Sequence, residues 1–197
     1  MKRSEYIALQ IQATELVNQA LPYLKVKPGQ IEIAGFGMDD GVHLLALVNI
    51  FNETFCGKLL ISLPGWICPA HHHLAVDKQK DEGFLVIYGL LIVTEPDGAR
   101  HEIPAGTQTL YMPAGVIHQL SAGPNGAVYF EFSEADTRTD VFPYDRVTRD
   151  PEIEEDVEGY TPPKGGFKIL GDEGVRLVPH VGVVSHLSET PVRVWVN

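Results

Sequence analysis

The stretch at positions 64–89, PGWICPAHHHLAVDKQKDEGFLVIYG, constrains this chain more than any other part of its sequence. Side chains of a β-strand alternate between its two faces, so His71 and His73 are expected on the same face. Glu82 opens the next apolar run, and His118 follows the PAG turn of a third segment, LYMPAGVIHQL. Three imidazoles and one carboxylate suit a divalent metal ion. The sequence therefore predicts a metal site built from these four residues.

The spacing of these residues resembles the two-part signature of the cupin family. Five residues separate Gly65 from His71-x-His73, and six separate Glu82 from Gly89. The second part of the signature follows in Gly106, Pro113, Gly115 and His118. The resemblance implies an all-β fold, a double-stranded β-helix or jelly-roll barrel.

One gap departs from that signature. Eight residues separate His73 from Glu82, which is more than the signature has, although a surface loop accommodates an insertion at small entropic cost. Asp77 and Asp81 are therefore alternative ligands. Cys68 lies three residues before His71 and is expected to be a small buried residue, with metal ligation as the weaker alternative.

The remaining sequence supports a single β-rich domain. Short β-like runs are separated by turns such as GMDDG and PDG, which indicates a barrel or jelly roll, and 197 residues suffice for one well-buried core. Ser4 to Leu21 shows helical periodicity, with Ser4 available as the N-cap, and the periodic residues are Ile7, Ile11, Thr14, Leu16 and Val17. The expected divisions are an N-terminal helix at 1–25, the barrel core at 30–135, an acidic active-site segment at 136–165 and C-terminal strands at 166–197.

Composition narrows the partners and the compartment. The formal charge of -11 argues against nucleic acid and anionic membranes, because both attract basic surfaces. No apolar run approaches the length that spans a bilayer. With two cysteines, Cys56 and Cys68, and no secretory leader pattern after Met1, the expected location is the reducing cytoplasm. A homodimer formed through the helix or the C-terminal strands is expected.

The chain also resembles the D-lyxose isomerase family, which are sugar ketol-isomerases on a cupin fold. The resemblance rests on PG-x-x-x-P-x-H-x-H at 64–73, on Lys80 two residues before Glu82, on P-x-G-x-x-H at 113–118, and on TD-x-F with the following PEIEED at 139–156. It implies a metal-dependent enzyme that converts an unphosphorylated aldose to a ketose through a cis-enediol. D-lyxose with D-xylulose, or D-mannose with D-fructose, are the implied sugar pairs.

The resemblance also implies roles for individual residues. His71, His73, Glu82 and His118 would hold a divalent metal, Mn²⁺ first, with Fe²⁺, Co²⁺ and Zn²⁺ as alternatives. Proton transfer between C1 and C2 requires a carboxylate base whose pKa partial burial raises. Glu154 is the favoured base. The other implied residues are Glu152 and Glu155 as alternative bases, Lys80 to stabilise negative charge, and Asp140 and Arg149 to bind sugar hydroxyls.

Two other functions fit the same metal site. An Fe²⁺-dependent cupin dioxygenase would use the same four ligands for oxygen chemistry, and a non-catalytic sugar-binding cupin would bind without conversion. Phe84 and Tyr88 share the face of Glu82 by the period of two, so both are expected to line the cavity or pack in the core.

Overall fold

The structure is a computed structural model. It describes residues 1–36, 43–51, 56–73, 80–107, 109–134, 141–142, 148–149, 154, 156, 183–184 and 192–193.

Within these ranges the chain forms one long helix, a 3₁₀ turn (Pro28–Gln30) and twelve strands. The long helix is α1 (Arg3–Ala20). The strands are β1 (Glu32–Phe36), β2 (His43–Phe51), β3 (Cys56–Ser62), β4 (Ile67–His73), β5 (Glu82–Thr94), β6 (Arg100–Pro104), β7 (Leu110–Met112), β8 (His118–Ser133), β9 (Val141–Phe142), β10 (Thr148–Arg149), β11 (Val183–Val184) and β12 (Val192–Arg193).

Strand β8 connects the two halves of the barrel. Its first part, from His118 to Ala122, pairs with β4 and with the end of β5. Its second part, from Ala127 to Ser133, pairs with β3 and with the start of β5. The sequence shows two apolar runs here, but the structure has one bent strand. The bend includes Gly126, whose φ of +75° is a conformation that glycine adopts readily.

The remaining pairings extend this arrangement on both sides. The hydrogen-bonded order is β10-β1-β2-β3-β8-β4-β9, and β5 additionally pairs with β6 and β7. All of the pairs in this sheet are antiparallel, as expected for a jelly roll of consecutive hairpins and crossovers. The short strands β11 and β12 pair with each other.

Two apolar clusters lie on opposite faces of this sheet. The inner cluster fills the barrel and includes Leu60, Phe84, Leu91 and Tyr129, all fully buried. The outer cluster lies between the sheet and α1, where fully buried Val17 packs with residues of β3 and β8. Burying a side chain of this size contributes about 1.5–3 kcal/mol, so α1 is fixed by packing.

The buried face of α1 agrees with the prediction in its second half, where Leu16 and Val17 are buried, and differs from it at Ile11. Ile11 is 43 % exposed, whereas Gln10 is buried. The side-chain amide of Gln10 donates a hydrogen bond to the carbonyl of Ile31 at 2.6 Å, which compensates for the burial of a polar group. Gln10 and Val17 lie seven residues apart on the same side of the helix, and Ile11 lies beside that face.

The start of α1 also differs from the prediction, because Ser4 is not the N-cap. The helix begins at Arg3, and Lys2 is in the N-cap position. Ser4 lies in the first turn, where its backbone N–H and its hydroxyl both donate to the carboxylate of Asp156. A carboxylate at a helix N-terminus satisfies free N–H groups and interacts favourably with the helix dipole. Asp156, which lies in a distant segment, thus accepts a backbone hydrogen bond that a local N-cap side chain would otherwise accept.

Short pieces of the acidic segment pair with the rest of the chain. In β9, Val141 and Phe142 pair with His73 and His72 of β4. Strand β10 pairs with β1, and Glu154 forms a parallel bridge with Lys2.

Across the described residues, no helix combines the length and the apolar character that crossing a bilayer requires.

Candidate metal centre

Four side chains from three strands meet inside the barrel. His71 and His73 come from β4, Glu82 opens β5, and His118 opens β8. One potential ligand atom from each lies within 4.8 Å of the other three, and all four residues are buried. The alternation of β4 explains the pair of histidines, because His71 and His73 are buried while His72 is only half-buried. His71 is also the register partner of His118.

Backbone carbonyls fix the orientation of two of the imidazoles. Nδ1 of His71 donates to the carbonyl of Pro69 at 2.8 Å, and Nδ1 of His118 donates to the carbonyl of Val116 at 2.9 Å. A carbonyl only accepts hydrogen bonds, so each Nδ1 carries a hydrogen. In the neutral ring, Nε2 then carries the lone pair, which is what a metal ligand requires.

Glu82 brings its two carboxylate oxygens close to two histidines. Oε1 lies 3.2 Å from Nε2 of His73, and Oε2 lies 3.3 Å from Nε2 of His118. Nε2 of His118 is fully buried, yet its contact with Glu82 lacks the geometry of a hydrogen bond. When the ring is neutral, Nε2 of His118 and Oε2 of Glu82 are both electron-pair donors. Their short separation without hydrogen-bond geometry fits a cation bound by both atoms. The donor set of three imidazoles and one carboxylate therefore matches a divalent metal ion.

The surroundings adjust the protonation of these ligands. Burial, supported by the neighbouring His118 and His73, lowers the pKa of His71 to about 3, so its ring is neutral at physiological pH. Burial by itself would raise the pKa of Glu82, but His73, His118 and Lys80 outweigh it and hold that pKa below its ordinary value. Burial lowers the pKa of His118, but Glu82 outweighs it and raises that pKa. A raised pKa means that the His118 ring holds a proton more readily, and a bound cation would take the place of that proton.

Lys80 and Asp81 immediately precede this carboxylate. Lys80 is buried, and its charge favours the ionised form of Glu82. The carboxylate of Asp81 instead accepts hydrogen bonds from the backbone N–H of Ala114, at 2.8 Å, and from the hydroxyl of Tyr111. Asp81 is therefore not one of the four convergent residues. Asp77, the other alternative ligand, lies outside the described residues.

Phe84 lines the interior as predicted, whereas Tyr88 does not share its face and packs against the outer apolar cluster. Phe84 is fully buried, and its ring centroid lies 6.2 Å from those of His118 and Tyr129. The register of β5 shifts between Val86 and Tyr88, which moves Tyr88 to the outer face. There its hydroxyl donates to the side chain of Gln19 on α1.

Cys68 is a buried free cysteine of the inner cluster. Its Sγ lies 3.8 Å from Nδ1 of His71, on the side of that ring that already faces the Pro69 carbonyl. The group of four convergent residues does not include it. Its placement agrees with the expected role as a small buried residue.

The predicted base and hydroxyl-binding residues lie mostly outside the described part of the chain. Asp140, Glu152 and Glu155 are not described, and for Arg149 only the strand pairing is described. Glu154 has an exposed side chain. Its backbone N–H donates to the carbonyl of Met1 at 3.0 Å, and its carbonyl accepts from Arg3 at 2.8 Å.

The sequence reasoning did not identify a pair of charged residues on the inner wall, Lys58 and Glu131. Their charged atoms are 3.0 Å apart, and both side chains are largely buried. The charge of Glu131 contributes to the raised pKa of His118. The signal was available in the sequence, since period-two alternation places Glu131 on the same face as the apolar Tyr129.

Known proteins share the sequence and the fold of this chain. The chain is 31% identical over 182 residues to the D-lyxose/D-mannose isomerase of Thermosediminibacter oceani, with 79% of this chain and 99% of that protein covered. It is 31% identical over 151 residues to the D-lyxose ketol-isomerase of Cohnella laeviribosi, with 64% and 83% covered. No family model matches the chain.

Solved structures show the same fold at lower sequence identity. The L-ribose isomerase of Acinetobacter sp. DL28 superposes with a TM-score of 0.53 at 18% identity, over 69% of this chain and 82% of that one. The L-ribose isomerase of Cellulomonas parahominis gives a TM-score of 0.52 at 18% identity, over 69% and 84%. These likenesses confirm the fold alone, the cupin-type double-stranded β-helix. Together with the identity to the sequence relatives, this fold shows that the chain belongs to the D-lyxose isomerase family.

Proposed function

We propose that this protein is a metal-dependent aldose–ketose isomerase acting on an unphosphorylated sugar. The observation that carries the proposal is the convergence of His71, His73, Glu82 and His118 inside the barrel. The relatives' activities, named for D-lyxose and D-mannose, supply the substrate class. D-lyxose with D-xylulose and D-mannose with D-fructose are the proposed pairs.

The four convergent residues would hold the metal. When bound, a divalent ion supplies Lewis-acid polarisation of the substrate carbonyl and stabilises negative charge on the reacting oxygens. Manganese is the proposed ion, because a mixed set of imidazole and carboxylate ligands accepts it. The neutral ring of His71 and the ionised Glu82 are already in the protonation states that ligation requires.

The other residues supply orientation and proton transfer. Buried Lys80 lies close enough to Glu82 to act on its charge, and we assign it to stabilising negative charge on the substrate. A carboxylate moves the proton between C2 and C1 on one face of the cis-enediol. Glu154 stays the predicted base, with Glu152 and Glu155 as alternatives, and Asp140 and Arg149 stay predicted hydroxyl-binding residues. The pairing of Val141 with His73 supports this assignment, because it brings part of the acidic segment beside one of the four convergent residues. A homodimer and a cytoplasmic location also stay predictions.

The test is a panel of aldoses incubated with purified protein, with Mn²⁺ added or with chelator. The proposal expects ketose formation from D-lyxose or D-mannose with metal, and its loss with chelator. Conversion that continues without oxygen excludes the dioxygenase alternative. Sugar binding without any conversion would instead support the non-catalytic alternative and contradict the proposal.

The base is tested separately by Glu154→Gln, Glu152→Gln and Glu155→Gln. The variant that lacks the base should keep its metal and lose turnover by about 100-fold or more. Full activity of Glu154→Gln would remove Glu154 from the mechanism.

A further inference from the structure

The first turn of α1 holds a piece of the acidic segment. The backbone N–H of Arg3 donates to the carbonyl of Glu154 at 2.8 Å, and the N–H of Glu154 donates to the carbonyl of Met1 at 3.0 Å. One residue further along the helix, the backbone N–H and the hydroxyl of Ser4 both donate to the carboxylate of Asp156. Four hydrogen bonds therefore join two stretches that are far apart in the sequence.

The chemistry of the two stretches explains this contact. The first N–H groups of an α-helix have no acceptor within the helix, and the helix dipole makes this end positive. Arg3 and Ser4 are the first two residues of α1. The stretch RDPEIEEDVEG at 149–159 carries six carboxylates, so its like charges repel one another. Because fully buried Val17 packs α1 against β3 and β8, the helix is the fixed partner and the acidic segment is the one that is positioned.

The same segment also reaches the metal centre. In β9, Val141 is the register partner of His73, one of the four convergent residues. In β10, Arg149 is the register partner of Gly35 on β1. The described pieces of the segment are thus attached at a predicted metal ligand, at β1 and at the start of α1. Glu154, the predicted base, lies at the last of these attachments, where both its backbone N–H and its carbonyl are bound.

We propose that the first turn of α1 positions the acidic segment for proton transfer, and that Ser4 and Asp156 are positioning residues of the isomerase reaction. In this role neither residue touches the substrate, and both act by fixing the main chain that carries Glu154. Proton transfer requires a base held within a narrow range of distance, and a displacement of about 1 Å can lower the rate about 100-fold. This inference rests on the proposed function, because it concerns the carboxylate that the reaction requires.

The experiment measures steady-state kinetics and Mn²⁺ affinity of the wild type, Asp156→Ala and Ser4→Ala. We expect kcat for the aldose to fall about tenfold in Asp156→Ala, while KM and Mn²⁺ affinity change by less than about threefold. Ser4→Ala keeps the backbone N–H that binds Asp156, so its loss should be smaller. Ser4→Thr keeps the hydroxyl and should restore kcat. The double variant should lose no more than Asp156→Ala, because both residues act through one contact.

Asn18 provides the matched control at the other end of α1. Its side chain makes two hydrogen bonds with the backbone of Val26, at 2.9 and 3.1 Å, as Asp156 makes two with Ser4. Asn18→Ala should therefore also lower Tm, but it should leave kcat unchanged.

An aldose deuterated at C2 adds a readout that a purely structural role would not change. The fall in kcat of Asp156→Ala should come with a full primary isotope effect, because proton transfer then limits the rate. A fall in kcat with a smaller isotope effect than that of the wild type would overturn the proposal. So would a loss of Mn²⁺ affinity as large as the loss of kcat. Asp156→Asn keeps the shape of the side chain and replaces Asp156→Ala if that variant does not fold.

Amide hydrogen exchange tests the anchor independently of turnover. Peptides that cover 148–156 should exchange faster in Asp156→Ala than in the wild type, and at the wild-type rate in Asn18→Ala. Unchanged exchange in Asp156→Ala would overturn the anchor. Faster exchange with unchanged kcat would overturn the positioning role alone. A wild-type protein that converts no aldose would overturn the isomerase assignment together with the positioning role, whereas faster exchange in Asp156→Ala would still support the anchor.

Discussion

Nε2 of His118 lies 3.3 Å from Oε2 of Glu82, and no hydrogen bond joins the two atoms. Since Nδ1 of His118 already donates to the carbonyl of Val116, both facing atoms are electron-pair donors in the neutral ring. In the neutral ring, the two atoms are therefore placed as two ligands that share a cation would be.

The first prediction concerns Glu82→Gln, which keeps the shape of the side chain and removes its charge. Affinity for Mn²⁺ should fall at least about 100-fold, because losing a direct ligand weakens metal binding more than losing a residue that hydrogen-bonds to a ligand. Without metal, the variant should also be less stable than the wild type at neutral pH, because the charges that lower the pKa of Glu82 stabilise its ionised form in the folded protein. Metal titration and thermal unfolding measure these effects, and full retention of metal would count against Glu82 as a ligand.

The second prediction concerns Asp81, which holds the turn before His118. Asp81→Ala removes the hydrogen bonds from Ala114 and Tyr111, each worth about 0.5–1.5 kcal/mol. We expect the affinity for Mn²⁺ to fall about tenfold, because the turn that positions His118 loosens. Asp81→Asn is the control, since its side-chain oxygen can still accept from Ala114. If Asp81→Ala binds metal as tightly as the wild type, the turn does not depend on Asp81.

The third prediction concerns the glycine that ends the first part of the cupin signature. Gly89 has a φ of +74°, and a Cβ placed there would lie 2.0 Å from the carbonyl oxygen of Gly126. Gly98 has a similar φ of +87° but open space around it. Gly98→Ala should therefore cost about 1–2 kcal/mol from the backbone conformation alone. Gly89→Ala should cost about 4 kcal/mol or more, because the backbone of β8 must also move. Urea unfolding of both variants compares the two, and equal losses would contradict the close contact.

The fourth prediction concerns pH and the carboxylate that binds the start of α1. Hydrogen bonds from Ser4 lower the pKa of Asp156 below its usual 3.8. A lowered pKa in the folded state stabilises the protein above the unfolded pKa, and the contribution disappears as pH falls through the folded value. Asp156→Asn should therefore lower Tm at pH 6, and this difference should shrink as the pH falls below the usual 3.8. A difference that is independent of pH would contradict a role for the charge.

The sequence predicted the fold and the convergence of His71, His73, Glu82 and His118 because both depend on local patterns. Alternation in β4 identifies which histidines share a face, and Gly89 marks a backbone contact that only glycine accommodates. The register shift between Val86 and Tyr88 leaves no comparable pattern, so the face of Tyr88 was predicted wrongly. Such a shift depends on pairing with β8, which is a long-range property.

Contacts between distant segments were similarly invisible in the sequence. Ser4 looked like an N-cap, but its partner Asp156 lies 152 residues away. The pairing of Lys58 with Glu131 joins residues 73 positions apart. Alternation places Glu131 on the inner face, but it does not indicate which residue pairs with it. Local spacing predicts which residues share a strand face, whereas the fold decides which faces meet.

The most direct test of the account is the position of the metal in crystals of the manganese-loaded protein. Anomalous diffraction at the manganese edge should show one strong peak, about 2 Å from a nitrogen of each of His71, His73 and His118 and from an oxygen of Glu82. The same crystals grown from Glu82→Gln should lack most of that peak. A peak elsewhere, or none in the wild-type protein, would contradict a metal centre at these residues and the isomerase chemistry proposed for it.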